Sequence, residues 1–175
     1  MCEHFHKEGA KLIVTDIVKE RVQKAVKAFG AKAVGINEIY SVECDIFAPC
    51  SIGAVLNDDT IPQLKCEVVA GCANNVLLDE NKNGDMLMNR GILYAPDFVI
   101  NGAGLINVYQ EFFPPYNREA TLREVEKIYD RLLRIYAYAK EHKINTQLAA
   151  NKFAEERMAL LKDIHANYIP NAKSL

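Results

Sequence analysis

Apolar positions along this chain follow two rhythms. Through the first hundred residues short apolar runs alternate with amphipathic ones, and beyond residue 116 the spacing settles to three and four. Lys11 to Asp16 (KLIVTD) reads as a strand. Val18, Val22, Ala25, Val26 and Phe29 put one apolar face on the helix that follows, and Gly30 closes it. Met1 to Glu8 reads as the end of a helix stopped by Gly9, and Ala31 to Gly35 as a short strand. Cys44 to Ser51 (CDIFAPCS) predicts a buried strand leaving into a turn at Pro49, Gly53 to Asn57 a helical turn, and Glu67 to Gly71 (EVVAG) another buried strand. Ile92 to Ile100 predicts a strand bent or divided by Pro96. The last third holds two long helices, from Asn117 to about Glu141 and from Thr146 to Ala166. Strands alternating with helices imply an α/β fold with a parallel sheet.

The ends of those strands carry the candidate chemistry. In an open parallel sheet ligands bind beyond the carboxyl ends of the strands. Here the strands end in Asp16, in Pro49-Cys50-Ser51, in Gly71 through Asn75, and in Asn101-Gly102-Ala103-Gly104. An apolar strand that ends in Asp and feeds a helix is a feature of dinucleotide-binding folds, where the carboxylate accepts from the ribose hydroxyls. The same Asp can instead cap the next helix, and Asn74, Asn75 and Asn101 can be turn formers. Their clustering at successive strand ends favours a nucleotide crevice. The glycine-rich turn that cradles a pyrophosphate lies about 20 residues before such an Asp, and only 15 residues precede Asp16. The expected fold is therefore a Rossmann-like doubly wound sheet over residues 1–115, without its first strand and glycine-rich loop, followed by a helical part over 116–175. In the order 3-2-1-4-5-6 the first strand is central. Its loss leaves two unpaired edges and a single partial domain that is unstable, rearranged or dependent on a partner.

Composition narrows the picture further. Half of the 175 residues are apolar, a quarter are charged, and the net charge is −2. That leaves no basic surplus for nucleic acid, and no apolar run has the length of a membrane span. The start lacks the apolar core of a signal peptide. The five cysteines are odd in number and never spaced as C-x-x-C, which fits reduced thiols in a cytoplasmic protein. Cys50 lacks an identifiable base and reads as a small packing residue. No cysteine or histidine spacing suits a metal. Asp79 to Gly84 (DENKNG) has the opening of a calcium loop, but Arg90 stands where the bidentate Glu belongs. It reads as a polar loop before a short helix.

The strings CDIFAPCSIGAVLND, VVAGCANN, YAPDFVINGAGLINV and FAEERM closely resemble the carboxy-terminal part of the amino-acid dehydrogenases that act on leucine, valine, phenylalanine and glutamate. The resemblance runs in unbroken order over almost the whole chain and is nearest to the leucine-specific members. It implies oxidative deamination of a branched-chain L-amino acid to a 2-oxo acid and ammonia with NAD as cofactor, and as partner either further copies in a homo-oligomer or the family's amino-terminal half. By that resemblance Asp16 holds the adenosine ribose. Cys50, Ser51, Ala73, Asn74 and Asn101 line the nicotinamide end, and Leu105 and Val108 face the substrate side chain. Core packing is the other reading of the last two. The family's catalytic lysines and aspartate match no residue here, so no catalytic residue is assigned and the chain alone is expected to be inactive. NGAG also departs from the family's usual NAGG. A role in subunit association, without catalysis, is the alternative.

Overall fold

The computed structural model describes residues 1–112 and 114–166, with side chains described as far as residue 162. The helical part expected over 116–175 is thus described to Ala166, and residues 167–175 lie outside the described residues. The elements in order are α1 (Cys2–Lys7), β1 (Ile13–Val14), α2 (Lys19–Phe29), β2 (Lys32–Ala33), a 3-10 turn (Glu38–Ser41), β3 (Ile46–Phe47), a second 3-10 turn (Ile61–Gln63) and β4 (Val68–Val69). Then follow α3 (Glu80–Asn89), β5 (Leu93–Tyr94), α4 (Asp97–Ile100), α5 (Ala103–Glu111), α6 (Arg118–His142) and α7 (Thr146–Ala166).

All strand pairs are parallel and fall into two sheets. β1 pairs with β2, and separately β3, β4 and β5 lie side by side in that order. The α/β class and the parallel pairing agree with the sequence pattern. β1 and β3 each pair on one side only.

Most of the core belongs to the second sheet. Leu56, Ile61, Leu64, Val69, Val76 and Leu87 are buried almost completely and pack with Ile92 and Tyr94. Each such side chain contributes about 1.5–3 kcal/mol through burial. A second cluster of Ile135, Ala139, Ala149 and Ala150 joins α6 to α7. Gly84 lets α3 approach α7, since a Cβ there would lie 2.8 Å from the Asn145 side chain. Before residue 49, by contrast, Ala31 alone is fully buried.

Helix ends explain several boundaries. Gly30 ends α2 in the left-handed region, at φ 63°. Asn117 caps α6 by accepting from the Ala120 N–H.

Four expectations need correction. Residues 53–57 do not form a helical turn: Leu56 is extended and bridges Leu77, and the turn comes later, at Ile61–Gln63. Ile92–Ile100 is not one strand, because after β5 Pro96 stands at the N-cap of α4. Asp79–Gly84 is not a loop. Asp79 accepts from the Lys82 N–H and starts α3. Nor is Cys44–Ser51 a buried strand throughout, since Ile46 stays 45% exposed on the unpaired side of the sheet. Arg90, opposite calcium's needs, donates both guanidinium arms to the carbonyls of Ile61 and Leu64.

Candidate functional site

The parallel strands bring their carboxyl ends to one edge of each sheet, and most of the sequence-derived site residues stand there. Asp16 follows β1. Its Oδ1 accepts from the Val18 N–H at 2.8 Å, and its Oδ2 lies 3.7 Å from the Arg21 guanidinium. This is an Asx turn ahead of α2 and not a helix cap, since the N-cap of α2 is Val18 and no side chain caps it. A carboxylate offers about four acceptor sites, so the half-exposed group keeps capacity for two hydroxyls as well.

At the end of β3, Cys50 and Ser51 are exposed. The Cys50 thiol approaches the Ala48 carbonyl at 3.4 Å, and the Ser51 hydroxyl donates to the Ile52 carbonyl at 3.3 Å. Burial of its sulfur pushes the Cys50 thiol up to about 11, against a partial offset from the Cys72 backbone.

Three of the expected residues meet directly. The Asn101 amide donates to the Asn74 side-chain oxygen at 2.5 Å and to the Ala73 carbonyl at 3.3 Å. Gly53 presses on the same turn: a Cβ there would lie 2.7 Å from the Asn75 carbonyl oxygen. The Ala54 N–H donates to that oxygen at 2.7 Å, with both Ala54 and Asn75 at positive φ. These contacts join the loop after β3 to the loop after β4.

Sequence reasoning missed the residue that anchors this arrangement. Asp97, 9% exposed, accepts from the Val76 N–H at 2.7 Å. It ties the end of the Ala73–Val76 turn to the start of α4, whose last turn presents Asn101. The Tyr94 hydroxyl accepts from the Asp97 N–H, and burial beside that carboxylate drives its phenol far above the ordinary value. An acid straight after a strand and a proline, in Tyr94-Ala95-Pro96-Asp97, was the available signal.

Leu105 and Val108 stand on α5, three residues apart, 76% and 48% exposed. Asp16 belongs to the other sheet, and its hydrogen bond and ion pair go to Val18 and Arg21. Two hollows, of about 280 and 500 Å³, lie elsewhere, by Leu87 and Ile144 and by His6 and Phe29. None of the expected site residues lines either. Among the described residues no cluster of His, Cys, Asp or Glu could hold a metal ion, and no helix is long and apolar enough to cross a membrane.

The chemistry of this donor set fits a dinucleotide: one carboxylate with spare acceptors, two amides that both donate and accept, and backbone brought close by Gly53 and Gly71.

A family model described as glutamate/leucine/phenylalanine/valine dehydrogenase matches residues 5–167. Leucine dehydrogenase of Bacillus cereus is 54% identical over 175 residues, all of this chain and 47% of its own. That of Geobacillus stearothermophilus is 52% identical over 171 residues, 98% of this chain and 46% of its own. The crystal structure of L-tryptophan dehydrogenase from Nostoc punctiforme superposes with a TM-score of 0.87 at 44% identity, covering 90% of this chain and 48% of that one. The chain spans about half the length of the curated relatives it matches.

Proposed function

The chain belongs to the glutamate/leucine/phenylalanine/valine dehydrogenase family, and from that premise we propose that it is the NAD-binding portion of a leucine-type amino-acid dehydrogenase. The observation that carries the reading is the hydrogen-bonded group of Ala73, Asn74 and Asn101 at the end of β4. Amides held this way are pre-oriented for a polar, planar ligand before it arrives. Asp16 receives the ribose hydroxyls, Cys50 and Ser51 flank the nicotinamide riboside, and Leu105 and Val108 offer an apolar wall to a branched side chain. The reaction takes an L-amino acid, water and NAD⁺ to a 2-oxo acid, ammonium, NADH and a proton. When bound, the nicotinamide accepts the hydride, and this region's own residues position it.

Within this reading the two sheets are the halves of one doubly wound sheet, in the order β2-β1 and β3-β4-β5, whose first strand would belong between β1 and β3. Acid and base come from elsewhere in the complete enzyme, so the chain alone turns over no leucine. A cytoplasmic setting goes with its free cysteines. Fluorescence titration with NADH, with NADPH alongside, is the test. Saturable binding that prefers NADH supports the reading, and absence of binding to the folded chain overturns it.

One feature favours an added role in homo-oligomer formation. Leu122, Tyr129 and Leu133 of α6 form an apolar stripe, each at least 47% exposed. Sedimentation of the wild type beside Tyr129→Glu tests it: a shift to smaller species is expected, and a monomeric wild type refutes it.

A further inference from the structure

Cysteines recur in this chain at a spacing to which the sheet gives a meaning. The β3–β4 register sets Ile46 beside Val68 and Phe47 beside Val69, an offset of 22 residues. Cys44 with Cys66, and Cys50 with Cys72, share that offset. The two pairs differ in their surroundings. Cys44 and Cys66 are half-buried, with Cys66 packed against the main core. Cys50 and Cys72 are both exposed.

The second pair also escapes the ladder. A disulfide needs its Cβ atoms roughly 3.5–4.5 Å apart, whereas strands of a regular sheet lie about 4.7–4.9 Å apart. Beyond Phe47 and Val69 the pairing shifts by a residue, so that the Ala73 N–H donates to the Pro49 carbonyl at 3.1 Å. Gly71 presses so closely on Pro49 that a Cβ would lie 2.1 Å from its carbonyl oxygen. The strand ends are drawn together at that point. The Cys50 thiol lies 3.4 Å from both the Ala48 carbonyl oxygen and the Met1 Sδ, and Cys72 is near enough to affect its ionisation.

We propose that Cys50 and Cys72 form a redox modification site, at which a small-molecule disulfide converts the two thiols into one disulfide across the ends of β3 and β4. The Cys72 thiolate attacks one sulfur of the small disulfide and expels one small thiolate. The Cys50 thiolate then attacks the Cys72 sulfur and expels the second. The protein loses two electrons, the small disulfide gains them, and the two cysteine protons end on the two released thiols. The effect on binding rests on the cofactor reading above. Cys72 directly precedes Ala73 and Asn74, which hold the Asn101 amide. Drawing Cys72 onto Cys50 displaces that group, so the oxidised chain loses NADH affinity and a dithiol reductant restores it.

The experiment treats the purified chain with oxidised glutathione, blocks the remaining thiols, and digests without reduction. Cleavage at Asp45 and Glu67 separates the two cysteine pairs. A Cys50–Cys72 cross-linked peptide is expected, also in Cys44→Ser/Cys66→Ser, and it should vanish in Cys72→Ser. A glutathione adduct that persists on either cysteine, or a Cys44–Cys66 cross-link in its place, overturns the site. NADH titration of the reduced and oxidised forms separates the two claims. A cross-link without NADH binding by the reduced chain refutes the cofactor reading and leaves the modification standing. NADH binding with no cross-link does the reverse. Equal affinity of both forms, with the cross-link present, overturns the regulatory effect.

Discussion

In the proposed reading Asp16 has a structural role and a ribose-binding one, and its two oxygens allow these to be separated. Oδ1 holds the Val18 N–H and the rest of the carboxylate is open apart from Arg21. Asp16→Ala should lower stability by about 1 kcal/mol, the ordinary net worth of one intramolecular hydrogen bond. It should also weaken NADH binding by roughly 1.5–3 kcal/mol, the range for hydrogen bonds to a charged group. Asp16→Asn keeps an acceptor for Val18 while losing the charge that repels a 2′-phosphate. Its NADH-to-NADPH preference should fall while its melting temperature stays close to the wild type, as paired titrations and melts would read. Cys50 gives the residue scale a pH dependence. The groups facing its thiol are Cys72 and the Met1 amino group. With the thiol raised to about 11, the thiolate needed to close the disulfide grows about tenfold per pH unit below that value. Closure of a mixed disulfide on Cys72 should therefore speed up steadily from pH 7 to 10, as quenched time courses would show. A flat profile would mean that another step governs closure.

Between elements, Asp97 has the largest reach. One carboxylate oxygen joins the turn after β4 to the first turn of α4. Asp97→Ala strands a buried N–H at Val76 and should cost about 1–3 kcal/mol, lowering the melting temperature and loosening the Asn74–Asn101 contact together. Asp97→Asn, which retains an acceptor, should recover most of both. This link was not legible in the sequence: Tyr94-Ala95-Pro96-Asp97 marks the acid, but its partner lies 21 positions away. What was legible depended on local physics. The period and start of α6, the glycine that ends α2, and the strands KLIVTD and EVVAG all declare themselves within a few residues. The failures share a cause. Pro96 was read as bending a strand when it opens a helix, and DENKNG was read by its polarity when Asp79 was the cap. The pairing of Asn74 with Asn101 was foreseen as proximity at strand ends, but its hydrogen bond required the fold. The meaning of Cys72 required the register.

Over the whole molecule, burial is unevenly shared. Residues before 49 include one fully buried residue, Ala31, whereas the segment from Leu56 to Ala95 holds most of the core. Stability in proteins is distributed in the same way, from near zero in poorly packed units to the global value in the core. Hydrogen exchange should therefore show α1, β1, α2 and β2 opening at lower free energy than β3, β4, β5 and α3, and uniform protection would contradict this. The connector from Gly35 to Glu43 joins the two regions through a single 3-10 turn, with Gly35, Ile36, Asn37 and Glu38 on the surface. Within that turn Tyr40 packs against Phe47 at a tilt, 5.7 Å between ring centres, and is already fastened to the main core. The chain thus has a natural point of division. A dilute protease should nick it between Gly35 and Glu38, leaving a resistant fragment that begins near Tyr40. The released piece should rejoin that fragment only as strongly as half-buried surface allows.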